Sequence, residues 1–104
     1  MIKNSFSREK YKLIEELFSS KGRTRLLVLL AKQSELNISE IIRQVNLNFS
    51  TVKKHLDFLK SIDLIEEKRF GRIRIYRFKD ENVIGKAIKS LIEIFEQLSM
   101  NREK

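Results

Sequence analysis

Apolar positions recur every three or four residues over most of the chain, and every second residue over one short stretch past its middle. The clearest pattern runs from Ile38 to Leu64. Ile41, Ile42 and Val45 fall at helical spacing, the pattern breaks at Asn46-Leu47-Asn48, and Val52, Leu56 and Leu59 resume it as a single stripe. Ser39 is placed to cap the first of these helices, because its hydroxyl can accept from a backbone N–H of the first turn. Asn46 tolerates left-handed backbone angles and can end that helix, and Asn48 can cap the next. Leu47, in the turn, has to be buried to lock the two helices at an angle. Ser50, Lys54 and Asp57 lie opposite the stripe, flanked by Thr51 and Lys53. The spacing predicts a helix-turn-helix whose second helix is polar and basic on its outer face.

The same periodicity organises the rest of the chain. Residues 5–20 read as an N-terminal helix capped by Ser5 or Ser7, with Phe6, Leu13, Ile14, Leu17 and Phe18 on one side and Gly22 at the left-handed position after its end. Thr24 to Gln33 is a second helix, the most apolar of the chain. Leu36-Asn37-Ile38 is a short extended link, able to form one rung of a small sheet. From Leu64 to Arg69 and from Arg72 to Phe78 the period changes to two, which predicts a hairpin turning at Phe70-Gly71. Neither face of Arg72–Phe78 is wholly apolar, as expected of a hairpin buried at its base and exposed at its tip. Asp80 then caps a last helix, from about Glu81 to Met100, a rod of about 30 Å. Along it Ile84, Ile88, Leu91, Phe95 and Leu98 follow the 4-3-4-3 spacing of a coiled-coil seam.

The expected fold is therefore mainly α with a small β-hairpin (α+β), in one domain: an N-terminal helix at 5–20, a core at 22–79 and a C-terminal helix at 80–101. A rod this apolar exceeds what so small a domain can cover. We expect a homodimer through Phe6, Leu13, Leu17, Ile84, Ile88, Leu91, Phe95 and Leu98. The alternative is a monomer whose rod folds back over the first helix.

Composition narrows the function classes. Of the 104 residues 41% are apolar and 35% charged, as in a folded soluble domain. There is no apolar run of membrane-spanning length and no signal-peptide core in MIKNSFSREKYK, so a cytoplasmic, nucleoid-associated protein is expected. Without cysteine there are no disulfides and no thiolate metal sites. His55 is the only histidine and cannot form a metal cluster with others. No metal and no cofactor are expected. Paired carboxylates, Ser/His/Asp sets and Gly-rich phosphate loops are missing, so no enzyme is expected.

Charge points to a partner. The formal net charge is +8. Residues 21–79 carry 14 basic and 6 acidic groups, whereas 1–20 sum to +1 and 80–104 to −1. The excess lies with the helix-turn-helix, which favours a polyanion. From Lys68 to Lys79 six basic residues occur without an acidic one, a crowding that a polyanion would relieve.

The run TRLLVLLAK…NISEIIRQVNLNFSTVKKHLDFLKSIDLIEEKRFGRIRIYRF resembles the winged helix-turn-helix transcription regulators of the ArsR-like and MarR-like types, particularly small archaeal ones, over about residues 22–79. Ile38-Ser39-Glu40-Ile41, Ser50-Thr51-Val52, His55-Leu56 with Leu59, and Leu64-Ile65 entering the wing carry the likeness. It implies that the helix from Asn48 to Ile62 enters the major groove, that the hairpin touches DNA backbone or minor groove, and that the terminal helices dimerise. Asp63 stands where the family commonly has glycine, and the cysteine metal box of its metal-sensing members is absent. The chain is also similar to archaeal winged-helix chromatin proteins.

The function so implied is a homodimeric, sequence-specific regulator of transcription binding double-stranded DNA. Asn48, Ser50, Thr51, Lys53 and Lys54 would start the recognition helix, Lys54 reaching guanine O6 or N7. His55 would pack or contact a phosphate. Arg69, Arg72 and Arg74 on the wing would bind phosphates or a narrow minor groove. Arg23, near the start of the second helix, suits a nearby phosphate. A sequence-independent architectural protein and a winged helix used for protein contacts are the alternatives.

Overall fold

Among the described residues five helices and three strands follow one another as α1 (Arg8–Leu17), α2 (Lys21–Gln33), β1 (Glu35–Asn37), α3 (Ile38–Val45), α4 (Phe49–Ser61), β2 (Ile65–Phe70), β3 (Ile73–Phe78) and α5 (Val83–Arg102). This computed structural model describes residues 8–102. The expected Ser5 or Ser7 cap and the Phe6 contact lie outside the described residues.

Asparagine and serine caps set the helix ends, not always where the sequence suggests. Ser20 caps α2, its side chain accepting from Arg23 N at 3.1 Å, so α2 starts three residues earlier than the apolar pattern implies. Gly22 thus lies in the first turn of α2 instead of ending α1. Its missing side chain makes room: a Cβ there would stand 3.2 Å from Leu47 Cδ1 and 3.6 Å from His55 Nε2. Asn37, and not Ser39, caps α3. Its Oδ1 accepts from Glu40 N at 2.9 Å while Glu40 Oε1 accepts from Asn37 N at 3.0 Å, a reciprocal capping box. Asn46 ends α3 in the left-handed region (φ 58, ψ 47), and Asn48 caps α4 by accepting from Thr51 N at 2.8 Å. Before α5 the cap is Asn82, whose Oδ1 accepts from Ile84 N at 2.7 Å and Gly85 N at 3.2 Å. Asp80, expected in that role, pairs with Lys89 at 3.5 Å instead.

The sheet has three antiparallel strands in the order β1-β3-β2. Glu35 faces Arg77 across one ladder, and Ile65 faces Phe78 and Phe70 faces Ile73 across the other. Asp63 (φ 63) and Gly71 (φ 61) supply the left-handed turns into and within the hairpin. Tyr76 and Phe78 are buried at the base, while Ile73 is exposed at the tip. The core joins Leu26 and Leu30 of α2, Ile41 of α3, Val52, Leu56 and Leu59 of α4, and Leu64 before β2. Leu47 is half-buried at its edge.

α5 does not fold its seam back over α1. Ile88 is buried, but Ile84, Leu91, Phe95 and Leu98 remain 44–57% exposed. Between α1 and α5 lies a groove of about 430 Å³ walled by Leu13, Ile14, Leu17, Ile84, Ile88 and Leu91, among others.

Candidate nucleic-acid interface

α4 presents two unlike sides. Val52, Leu56 and Leu59 are fully buried, and Ser50, Lys54 and Asp57 are exposed. Lys53, on the flank, pairs with Asp57 one turn on at 2.9 Å. Ser50 Oγ donates to Asn48 Oδ1 at 3.0 Å, so the Asn48 oxygen is occupied at the N-terminus. Lys54 forms no ion pair among the described residues and points outward.

His55 takes the packing role, one of the two expected for it, and Arg23 is buried beside it. Arg23 and His55 are 6% and 8% exposed and bonded to each other, with Arg23 Nε–H donating to His55 Nδ1 at 3.0 Å. Arg23 also donates to the Glu16 carbonyl at 2.7 Å, and its guanidinium lies 4.2 Å over the Phe58 ring centroid. With its donors turned inward, Arg23 joins α1, α2 and α4. His55 must accept at Nδ1, hence is neutral with its proton on Nε2. Burial, then Arg23, then Lys54 hold its pKa below the ordinary value.

The wing is less crowded with free charge than its sequence suggests, because acids from neighbouring strands and loops answer most of the cations. Lys68 pairs with Glu35 at 3.4 Å, Arg69 with Glu67 at 3.0 Å and Lys79 with Asp63 at 2.6 Å. Arg77 donates to Glu66 across the ladder and to both oxygens of Glu81, at 3.1 and 2.8 Å. The Arg77 guanidinium holds the Glu81 carboxyl down at about 2. Lys60 of α4 donates to Glu67 at 2.7 Å and lowers that carboxyl as well. Glu40, the remaining acid between residues 21 and 79, is used in the capping box. The cations of that segment left without an ion pair among the described residues are Lys21, Arg25, Arg43, Lys54, Arg72 and Arg74. Arg25 bridges from α2 to the Val45 carbonyl, 3.1 Å away, and so finishes α3.

The apolar pattern did not single out Phe49. It is the first residue of α4 and 52% exposed, directly after the capping Asn48 and ahead of the buried stripe. At the wing tip Phe70 and Ile73 face each other across the ladder, 60% and 54% exposed. Among the described residues no cluster of three or more His, Cys, Asp or Glu could hold a metal, and no helix is long and apolar enough to cross a membrane.

Residues 20–67 match the model of the bacterial regulatory protein, arsR family. The chain is 27% identical over 93 residues to the uncharacterized HTH-type transcriptional regulator MJ1325 of Methanocaldococcus jannaschii, covering 86% of this chain and 99% of that one. Its fold is similar to HlyU from Vibrio cholerae, with a TM-score of 0.69 at 18% identity over 88% of this chain and 97% of that one. The transcriptional repressor PagR of Bacillus anthracis gives 0.64 at 24% identity, over 82% and 93%. Residues 20–67, which hold both helices of the helix-turn-helix and the first half of β2, are therefore an ArsR-family helix-turn-helix domain, within a winged-helix fold that the described residues share with these solved structures.

Proposed function

We propose that the chain is a homodimeric regulator of transcription that binds double-stranded DNA in a sequence-specific manner, with α4 in the major groove and the wing on the backbone or minor groove. The observation that carries this reading is the residue of positive charge left after ion pairing. Lys54 on the outer side of α4 and Arg72 and Arg74 near the wing tip have no ion-pair partner among the described residues, whereas the described acids close to them are already engaged. Phosphates would supply the missing counter-charge. The apolar side of α5 supports the dimer: Ile84, Leu91, Phe95 and Leu98 are exposed along it, with Leu13 of α1 exposed beside Ile84 and Leu91. Two copies joined there would carry two recognition helices, and reading successive major grooves requires about 34–36 Å between them.

The test is a labelled duplex titrated from low to moderate salt, followed by footprinting on a selected palindrome. Each neutralised phosphate contributes about −0.9 to the log–log salt slope. The expected result is a steep slope and a bounded footprint with two-fold symmetry. A flat salt response sinks the reading. Uniform protection of any duplex favours the architectural alternative.

A further inference from the structure

We propose that Phe49 is a specificity-determining residue that reads the C5-methyl of a thymine in the bound site. The inference rests on the DNA-binding reading above and deepens it. Phe49 is the first helical residue after the capping Asn48, and the N-terminal residues of a recognition helix are those that meet base edges. At about 100° per residue it shares a flank of α4 with Lys53 and Lys60. Lys60 pairs with Glu67 of β2, so this flank looks toward the wing. The ring is 52% exposed, and its neighbours on that flank, Lys53 and Lys60, are polar, as are Ser50, Lys54 and Asp57 on the adjoining outer face.

A phenyl ring has no donor or acceptor, so it cannot read the hydrogen-bonding pattern of a base pair. A phosphate offers it no apolar surface. The one apolar group that B-DNA displays on a base edge in the major groove is the thymine methyl. A ring at this position therefore separates T·A from C·G and from any pair lacking that methyl, by burial alone. Lys54, the polar reader nearby, lies on the outer face of the same helix and would act on a neighbouring pair.

The experiment uses the full chain. A duplex site is selected from a random pool with the wild type. Each thymine in it is then replaced singly by uracil, which removes the methyl and leaves the pairing edge intact. Wild type and Phe49→Ala are titrated against every duplex and against a scrambled one. The expected result is that one thymine, or one per half-site, weakens wild-type binding about fourfold on replacement, the value of one buried methyl. Phe49→Ala should be indifferent to that replacement. The substitution removes an exposed side chain at a helix start that Asn48 already caps, so folding should survive, and the wild-type scan stands without it. If uracil is tolerated at every position, or if variant and wild type lose equally, the inference is overturned while DNA binding stands. If the wild type binds neither selected nor scrambled duplex, both fall together.

Discussion

Arg23 of α2 donates its Nε–H to Nδ1 of His55 on α4, 3.0 Å away, and the pair is buried between the two helices. The bond requires a neutral imidazole, and a protonated one would set two cations against each other in a buried site. The folded state thus holds the His55 pKa below its ordinary value of 6.5. The stabilisation belongs to the neutral form. It is fully present above the unfolded value, and it is lost as pH falls below about 6.5 and through the lower folded value. Urea midpoints measured from pH 8 down to 5 should fall with acidity in the wild type. His55→Asn, which can accept from Arg23 without titrating, should show a flatter profile. Equal profiles would mean that His55 is not the group responsible.

Leu91 stands in the wall of the groove between α1 and α5, 44% exposed in the single chain. Light scattering at micromolar concentration should give twice the chain mass of 12.4 kDa for the wild type. Leu91→Asp should shift the protein toward monomer, because a carboxylate buried unpaired in such a seam costs several kcal/mol. A wild type that already scatters as a monomer removes the dimer from the proposal.

Lys54 and the wing arginines should differ in kind. Base contacts discriminate between sequences and phosphate contacts do not. Lys54→Ala is expected to narrow the gap between selected and scrambled duplex by about 1–3 kcal/mol. Arg72→Ala and Arg74→Ala should weaken both duplexes alike and flatten the salt slope by about one unit each. If a wing variant collapses the ratio and Lys54→Ala leaves it untouched, the roles are reversed, and groove shape read by arginine is the source of specificity.

Two glycines should respond to alanine for different reasons. A Cβ on Gly85 would lie 2.3 Å from the Lys79 carbonyl oxygen, so α5 has to move off the end of β3. Gly85→Ala should cost about 1–3 kcal/mol, in the range of other overpacked sites. At Gly71 a Cβ meets nothing, but φ is +61. Gly71→Ala should cost about 1–2 kcal/mol from backbone strain alone. Thermal melts decide both.

Local chemistry was largely legible in the chain. Asn46 and Asn48 mark the turn because their short amides suit a left-handed residue and a cap, and both do as expected. The alternation around Phe70-Gly71 finds the hairpin, and the seam spacing finds the uncovered side of α5. What could not be read depends on neighbours remote in sequence. Gly22 looks like a helix stop, yet it serves the close approach of Leu47 and His55. Arg23 looks like a surface cation because nothing nearby in sequence announces His55, 32 residues away, as its partner. The wing cations look unrelieved because Glu35, Asp63 and Glu81, which pair with three of them, belong to other segments. Asn37 takes the cap from Ser39 because β1 ends there and Glu40 completes the box.

The strand order β1-β3-β2 places the last strand made in the middle of the sheet. On the ribosome, β1 and β2 leave before either has a partner, and both helices of the helix-turn-helix precede the piece that fastens them. Only when Phe78 has emerged can its N–H reach the Ser34 carbonyl while Lys79 N–H reaches that of Leu64, each at 2.8 Å. A chain truncated or stalled before that point carries a complete helix-turn-helix sequence together with two unpaired strand edges, the form most open to mispairing with other nascent chains.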